Sequence, residues 1–145
     1  MKLLLDANIF IEAIFNQEQA ADARALLVSK DHEFFISLFS LYSIGILLLR
    51  RQRGSQWERF LKEIILSGRV EILVLSVAEL ASIAGVAQQL ALDFDDAYQY
   101  VTAEVHNLTL VSFDHDFDKT PRGRQTPQAI NQLTAAQNQP SQDQQ

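Results

Sequence analysis

The sequence predicts an α/β protein, a single-domain three-layer sandwich in which a mainly parallel central sheet is flanked by helices. Short apolar runs rich in Val, Ile, Leu and Phe alternate with longer segments whose apolar residues recur at helical spacing. This alternation is typical of parallel sheets, whose strands are joined by crossover helices. A length of 145 residues fits one domain, and 48% hydrophobic with 21% charged residues excludes wholesale disorder.

In the first half of the chain, each predicted strand ends at a polar residue and a helical pattern follows. The predicted elements are a strand at 2–5, a helix through Phe15, a helix at 20–29, a strand at 34–38 and a helix at 40–51. The first strand stops at Asp6, and Ser40 is the predicted N-cap of the last helix. Gly45 weakens the helical pattern there.

In the second half, Ser55 and Glu58 resemble a capping box at the start of an amphipathic helix. A strand at 70–75, a helix from 77, a helix from Asp93 to His106 and a strand at 108–112 follow. From Gln125 onward the chain is rich in Gln and Asn and poor in apolar residues. We therefore predict a folded domain over 1–124 and a disordered tail over 125–145.

Composition excludes several classes of protein. The chain has no cysteine, which excludes a disulfide framework, thiol catalysis and thiolate zinc sites. Its net charge of −6 argues against a protein that coats nucleic acid with its whole surface. Asp6 and Glu12 interrupt the apolar N-terminal stretch, so we interpret it as mature protein and not as a signal peptide. We expect a cytoplasmic protein with no membrane partner.

Acidic and basic residues are segregated along the chain. Seven acids and no Lys or Arg lie between Asp93 and Asp118. Eight of the twelve basic residues form two clusters, which are Arg50, Arg51, Arg53, Arg59 and Lys62 in the first and Lys119, Arg122 and Arg124 in the second. The acidic stretch alone exceeds the net charge of the whole chain.

Three acids are predicted to meet at one edge of the sheet. Asp6 directly follows the first strand, and Asp114 follows the fourth by two residues. Ligands of open parallel sheets lie beyond the carboxyl ends of the strands, so these carboxylates converge if the two strands are neighbours. Asp96 lies in the first turn of the preceding helix, which begins near the same edge. Clustered carboxylates require protons or a cation.

Oxygen-only ligation suits Mg²⁺ or Mn²⁺ and not zinc. Such an ion is the usual apparatus of phosphodiester hydrolysis, because it activates water and offsets charge on the departing oxygen. Each group of acids also has a purely structural interpretation: those at 93–96 suit a helix start, Asp6 suits a cap and those at 114–118 suit a turn. The metal hypothesis depends on their meeting.

Three segments, LLLDANIF, DDAYQYVTAE and LTLVSFDHDF, resemble motifs of the PIN-domain family of metal-dependent ribonucleases, which includes VapC-type toxins. They occur in the family's order and cover most of residues 1–117. The matching residues are Asp6 and Asn8 in the first segment, Asp96 in the second, and Ser112, Asp114 and Asp116 in the third. The resemblance implies a PIN-like fold and a Mg²⁺- or Mn²⁺-dependent endoribonuclease.

The resemblance also implies roles for these residues. Asp6, Asp96 and Asp114 would be the catalytic metal ligands and Asp116 a supporting ligand. The polar residues that would orient the ligands are Asn8, Ser43 and Ser112. The implied partners are an RNA substrate, the antitoxin of a toxin–antitoxin pair and a second copy of the chain in a homodimer.

One position departs from the family pattern. The family usually has a Glu six residues beyond the Ser of the second strand, and Ser37 plus six gives Ser43. A hydroxyl lacks the negative charge of a carboxylate, so we expect weaker ion binding, with Glu12 as an alternative source of that charge. The alternative function is therefore a catalytically weakened PIN-like module that binds RNA or a protein partner.

The first basic cluster supplies candidate RNA contacts. An acidic pocket repels the phosphate backbone that it must cut, so cations on its rim are needed. Arg50, Arg51 and Arg53 are the candidates, with Trp57 available to stack on a base. The alternatives are that Trp57 lies in the core or an interface and that the arginines form a solvated helix end.

Overall fold

A computed structural model describes residues 1–140 and confirms the predicted α/β class. The strands are β1 (Lys2–Leu5), β2 (Glu33–Ser37), β3 (Val70–Leu73) and β4 (Thr109–Val111). The α-helices are α1 (Ala7–Phe15), α2 (Ala20–Val28), α3 (Leu38–Arg50), α4 (Gly54–Phe60), α5 (Val77–Leu90), α6 (Phe94–His106) and α7 (Pro127–Gln137). A π-helical segment, Leu61–Leu66, continues α4, and a 3₁₀ turn, His115–Lys119, follows β4.

The four strands form one parallel sheet in the order β3-β2-β1-β4. Leu4 of β1 lies opposite Phe35 on one side and Leu110 on the other. The first and fourth strands are therefore neighbours, which is the condition on which the meeting of Asp6 and Asp114 depends. The winding direction reverses at β1, so the carboxyl ends of β1 and β4 border the crevice where such sheets bind ligands.

Alternation along β1 divides the core into two layers. Leu3 and Leu5 pack with α1 to α4 and α7, whereas Leu4 packs with α5 and α6 on the other face of the sheet. All three side chains are fully buried. The predicted three-layer sandwich follows from this two-residue period, which sends successive side chains to opposite faces.

Two predicted helix starts differ in the structure. The N-cap of α3 is Ser37 and not Ser40, because the Ser37 hydroxyl accepts a hydrogen bond from the Ser40 amide at 3.0 Å. The predicted capping box at Ser55 is wrong, because α4 begins at Gly54 and has no side-chain cap. A short connection from α3 sets the start of α4, and this overrides the local motif.

Gly45 of α3 and Trp57 of α4 lie in close contact. A Cβ at Gly45 would lie 3.2–3.3 Å from the Trp57 ring, so a glycine permits the close approach of α3 and α4. Trp57 packs against the core and stacks on Phe60 with 6.2 Å between ring centroids. Of the two interpretations of Trp57, the structure favours the packing one.

The predicted disorder of the tail is wrong for residues 127–137, which form α7. Thr126 caps this helix by accepting from the Ala129 amide, and Ile130 is fully buried against α2. A cap and one well-placed apolar side chain suffice where composition indicated disorder. Residues 141–145 of the predicted tail lie outside the described part of the chain, and the domain boundary at residue 124 stays a prediction.

Within the described part of the chain, no helix combines the length and apolar character that crossing a bilayer requires.

Candidate metal centre

The predicted acidic residues lie at local positions that the backbone itself requires. Asp6 caps α1, its Oδ1 accepting from the Ala7 amide at 2.8 Å. Asp114 caps the 3₁₀ turn, its Oδ1 accepting from the Asp116 amide at 2.9 Å. Asp96 is the third residue of α6, and its own amide donates to the cap Asp93 at 3.1 Å. The structural interpretations of these acids therefore hold, and they are compatible with a site.

The structure brings together three of the four predicted ligands, which we call the carboxylate trio. Asp96, Asp114 and Asp116 each offer one carboxylate oxygen, and these oxygens lie within 4.8 Å of one another. Asp96 is buried and Asp116 is exposed. The salt bridges found within residues 1–140 involve other carboxylates. The trio therefore opens to solvent at one side and carries negative charge without a basic partner there.

Asp6 lies outside the trio, and its carboxylate accepts four hydrogen bonds. Its Oδ1 accepts from the Ala7 amide at 2.8 Å and from Gln99 Nε2 at 3.5 Å. Its Oδ2 accepts from Ser112 Oγ at 2.7 Å and from Asn8 Nδ2 at 3.4 Å. Both oxygens are thus held in a fixed orientation, Oδ2 on the side of β4.

Asn8 and Ser112 connect the ends of β1 and β4. Asn8 Nδ2 also donates to Ser112 Oγ at 3.1 Å, and Asn8 Oδ1 accepts from the Phe113 amide at 3.3 Å. Ser112 Oγ accepts in turn from the Asp114 amide at 3.0 Å. This network links Asp6 to the segment that carries Asp114.

Burial and mutual repulsion perturb the acids. The pKa of Asp96 is raised to about 7, first by burial and then by the neighbouring carboxylates of Asp114, Asp93, Asp6 and Asp116. Burial also raises the pKa of Asp6, although hydrogen bonds from Ser112 and Ala7 oppose this shift. The cluster holds its full negative charge only at a cost, which a proton or a cation relieves.

The donor set fits a hard divalent cation. The trio offers only carboxylate oxygens, and neither His nor Lys belongs to it. Oxygen donors of this kind suit Mg²⁺ or Mn²⁺, whereas zinc sites usually contain His or Cys.

Neither candidate replaces the missing charge of the family's Glu. Ser43 Oγ donates to the Phe39 carbonyl at 3.0 Å, so this hydroxyl binds to its own helix. Glu12 Oε2 accepts from the Gln19 amide at 3.3 Å, in the connection between α1 and α2. Glu12 does not join the trio, so the structure does not support it as the compensating acid.

Two arginines of the first basic cluster, Arg51 and Arg53, lie on Phe15 at the end of α1 that is remote from Asp6. The guanidinium carbons of Arg51 and Arg53 lie 5.1 and 4.6 Å from the centroid of the Phe15 ring. Phe15 is the last residue of α1, which spans nine residues or about 14 Å from its start beside Asp6. Arg50 ends α3 and is exposed. RNA binding by these arginines stays a prediction.

The second basic cluster holds the segment after β4 in place. Its members donate to backbone carbonyls, Lys119 to Ala91 at 2.7 Å, Arg122 to Leu108 at 3.1 Å and Arg124 to Ser112 at 2.9 Å. Arg124 also binds both carboxylate oxygens of Asp118, at 2.9 and 3.1 Å. These hydrogen bonds hold the pKa of Asp118 below its ordinary value. The cluster therefore fixes the turn that carries two members of the trio.

Gln99 is a site residue that the sequence reasoning missed. It lies one turn beyond Asp96 on the same face of α6 and is buried. Its Oε1 accepts from Ser37 Oγ at 2.5 Å, and its Nε2 reaches Asp6. The available signal was a long polar side chain three residues after a predicted ligand, among the apolar residues of a buried helix.

Comparison with known proteins agrees with this architecture. The model of the PIN domain family matches residues 3–123. Among solved structures, the chain resembles a toxin–antitoxin complex from Klebsiella pneumoniae, with 23% identity, a TM-score of 0.66 and coverage of 86% of this chain and 97% of that chain. It also resembles VapC20 from Mycobacterium tuberculosis, described as a sarcin–ricin loop cleaving toxin, with 19% identity, a TM-score of 0.67 and coverage of 82% and 95%.

A third similar structure is PAE2754 from Pyrobaculum aerophilum, with 25% identity, a TM-score of 0.63 and coverage of 94% of this chain and 90% of that chain. A search of curated proteins gives no match. At these identities the structural likenesses establish the fold.

Proposed function

Since the chain belongs to the PIN domain family, we propose that it is a divalent-metal-dependent endoribonuclease and the toxin of a toxin–antitoxin pair. The observation that carries the proposal is the carboxylate trio, whose oxygens lie within 4.8 Å of one another at the carboxyl edge of the sheet. Uncompensated carboxylates in this arrangement attract a hard cation, and Mg²⁺ or Mn²⁺ is the class that such oxygens prefer.

In this proposal Asp96, Asp114 and Asp116 would hold the ion, and Asp6 would join them. Each Asp6 oxygen accepts two hydrogen bonds, and Oδ2 would take up that contact if the longer of its two bonds, the 3.4 Å bond from Asn8, gave way while the 2.7 Å bond from Ser112 stayed. A bound divalent ion supplies water activation and neutralises charge on the phosphodiester.

The protein's own side chains orient the acids. Ser112 binds both Asp6 and the Asp114 amide, so it fixes the separation of the two acids at the ends of β1 and β4. Asp96 must lose its proton before it binds a cation. Because its pKa is raised to about 7, we expect ion binding to strengthen as pH rises toward neutrality.

The experiment compares RNA cleavage with Mn²⁺ by the wild type, Asp96→Asn and Asp95→Asn. Asp95 lies on the same turn of α6 but is exposed and outside the trio, so it is a matched control for charge. We expect Asp96→Asn to lose more than about 100-fold of the activity, since even residues that only support ligands contribute 10- to 100-fold. Asp95→Asn should stay near the wild type. Equal cleavage by all three proteins would contradict the assignment.

A second candidate function is a PIN-like module that binds RNA or a protein partner without efficient hydrolysis. Ser43 favours it, because its hydroxyl binds the Phe39 carbonyl and brings no charge to the site. A thermal-shift titration with Mn²⁺ separates the two functions. An ion that binds the folded protein must raise Tm, whereas a flat titration into the millimolar range would favour the binding module.

We also propose an antitoxin partner and a homodimer. A homodimer is supported by an apolar stripe on α3, where Tyr42, Ile46 and Leu49 are 59%, 53% and 58% exposed at helical spacing. Light scattering of the wild type and Ile46→Lys tests it, the expected result being a dimer that the charge dissociates. A monomeric wild type would exclude this use of the stripe.

RNA contact is proposed for Arg50, Arg51 and Arg53. Their exposed positions at the end of α3 suit a phosphate backbone extending away from the trio. Neutralising the three arginines should weaken RNA binding and reduce its dependence on salt concentration. An unchanged salt dependence would assign them to the stacking on Phe15 alone.

A further inference from the structure

We propose that Gln99 is a positioning residue of the acidic site, which holds Asp6 Oδ1 so that Oδ2 is presented toward β4. The proposal rests on the function proposed above. Gln99 is not one of the acidic residues that the motif segments pointed to. The proposal is carried by the hydrogen bonds that Gln99 makes to Asp6, directly after β1, and to Ser37, the last residue of β2.

The orientation of the Gln99 amide follows from its neighbours. Ser37 Oγ accepts from the Ser40 amide at 3.0 Å as the N-cap of α3, and its own proton is donated to Gln99 Oε1. With Oε1 engaged in this way, Nε2 is the end that faces Asp6, and it donates to Oδ1 at 3.5 Å. A flipped amide would point its oxygen at a carboxylate oxygen, which repels it.

The burial of Gln99 indicates that its amide is retained for its hydrogen bonds and not for packing. Residues 96–103 of α6 are all buried, and Gln99 is 3% exposed. A buried amide destabilises the fold unless it is hydrogen-bonded, so an apolar residue would be the simpler choice on this helix. Thr102, the next buried polar residue, donates to the Tyr98 carbonyl of its own helix. Gln99 instead bonds to two other elements.

The contacts make Gln99 a link among three parts of the site. It lies one turn beyond Asp96, binds the residue that starts α3, and reaches the acid that ends β1. On Oδ1 of Asp6 it is the side-chain donor beside the backbone donor Ala7. Loss of Nε2 leaves Oδ1 with the Ala7 amide alone, while Ser112 still holds Oδ2, so the carboxylate is less firmly fixed in the orientation that presents Oδ2 toward β4.

The experiment uses Gln99→Met, which keeps an unbranched side chain of similar length without hydrogen-bonding groups. Thr102→Val is the matched control, because it removes a buried polar group from the same helix without touching Asp6. The first readout is the Mn²⁺ dissociation constant by calorimetry. The second is the side-chain carboxyl ¹³C shift of Asp6 in the metal-free protein at one fixed pH.

We expect Gln99→Met to weaken Mn²⁺ binding about tenfold, as for other residues that orient ligands, and to move the Asp6 signal. Thr102→Val should change neither. Gln99→Asn is the second variant, for use if Gln99→Met does not fold. It keeps the amide but is one methylene too short to reach both partners, so we expect the same loss of Mn²⁺ affinity and the same movement of the Asp6 signal. Wild-type affinity with an unmoved Asp6 signal, or equal effects of Thr102→Val, would overturn the proposal.

Failure of the proposed function gives a different result. If the wild type itself binds no Mn²⁺, the nuclease proposal fails, and the Asp6 signal alone decides the role of Gln99. A signal that moves in Gln99→Met and not in Thr102→Val supports the positioning role, and an unmoved signal excludes it.

Discussion

Asp6 and the carboxylate trio lie at the same edge of the sheet, yet they carry their charge in different surroundings. Asp6 accepts four hydrogen bonds, two from groups in α1, one from α6 and one from the residue after β4. The three acids of the trio have their oxygens within 4.8 Å of one another and make no salt bridge within residues 1–140. The hydrogen bonds to Asp6 connect the elements around it, whereas the carboxylates of the trio repel one another.

The difference separates two contributions to one site. Hydrogen bonds to a carboxylate stabilise both the charge and the elements that donate them. Like charges held together by a fold destabilise it until a counter-charge arrives. The same change, Asp to Asn, should therefore have opposite effects on the metal-free protein in the two places.

Asp6→Asn should have the largest effect on stability. The amide nitrogen of Asn cannot accept, so at least one of the donors around Oδ1 or Oδ2 loses its partner in a largely buried position. We expect a loss of about 2 to 3 kcal/mol in the free energy of unfolding, measured by urea denaturation. A destabilisation below that of the exposed control Asp95→Asn would show that these hydrogen bonds contribute little.

Arg124→Met tests whether the second basic cluster holds the turn that carries Asp114 and Asp116. The Arg124 side chain is 8% exposed and bonds to Asp118 and to the Ser112 carbonyl. Removing this cation should cost about 2 kcal/mol, because the carbonyl of the buried Ser112 loses a charged donor. It should also weaken Mn²⁺ binding, since the turn carrying Asp114 loosens.

The control for Arg124→Met is Arg122→Met, which removes an exposed arginine from the same cluster. Equal Mn²⁺ affinities in wild type and Arg124→Met would indicate that the turn keeps its geometry without the arginine.

How much of this arrangement the sequence predicts depends on the range of the interactions. Strand and helix periods are local, so the sheet, its helices and the meeting of Asp6 with the β4 end were predictable. The bond between Gln99 and Asp6 joins residues 93 positions apart, and no local pattern signals it. The second basic cluster looks like a solvated patch in the sequence because its carbonyl partners are brought near only by tertiary packing.

Local motifs also failed to predict the start of α3, because two N-cap candidates lie close together in the sequence. Ser37 and Ser40 are both acceptable N-caps, and the end of β2 decides for Ser37 because the strand passes directly into α3. Composition failed for α7, where few apolar residues are present but Ile130 falls on the face that meets α2.

A smaller effect is expected from pH on the metal-free protein. The folded-state pKa of Asp96 is raised to about 7, above its value in the unfolded chain. The folded state therefore holds this proton at higher pH than the unfolded state, and stability falls as pH rises from about 4 to about 7. The open side of the trio screens the repulsion, so we expect a loss of about 1 kcal/mol.

Urea denaturation at pH 5 and pH 8 measures this loss, and Asp96→Asn should reduce it and be more stable than the wild type at pH 8. An identical pH dependence in Asp96→Asn would mean that other groups, Asp6 among them, set it.

Ser43→Glu has the smallest expected effect and bears on the charge balance of the trio. The substitution gives up the bond to the Phe39 carbonyl, a local contact within one helix, and adds a negative charge at the position where the family usually has one. If that position adjoins the trio, Mn²⁺ affinity should rise severalfold while the metal-free protein becomes slightly less stable, because both effects arise from the same added repulsion. Ser55→Glu makes the same chemical change at an exposed position on α4 and should leave Mn²⁺ affinity unaltered. Equal Mn²⁺ affinities in Ser43→Glu and Ser55→Glu would show that a charge at position 43 does not act on the trio. The missing charge at Ser43 would then not support the second candidate function, a PIN-like module without efficient hydrolysis.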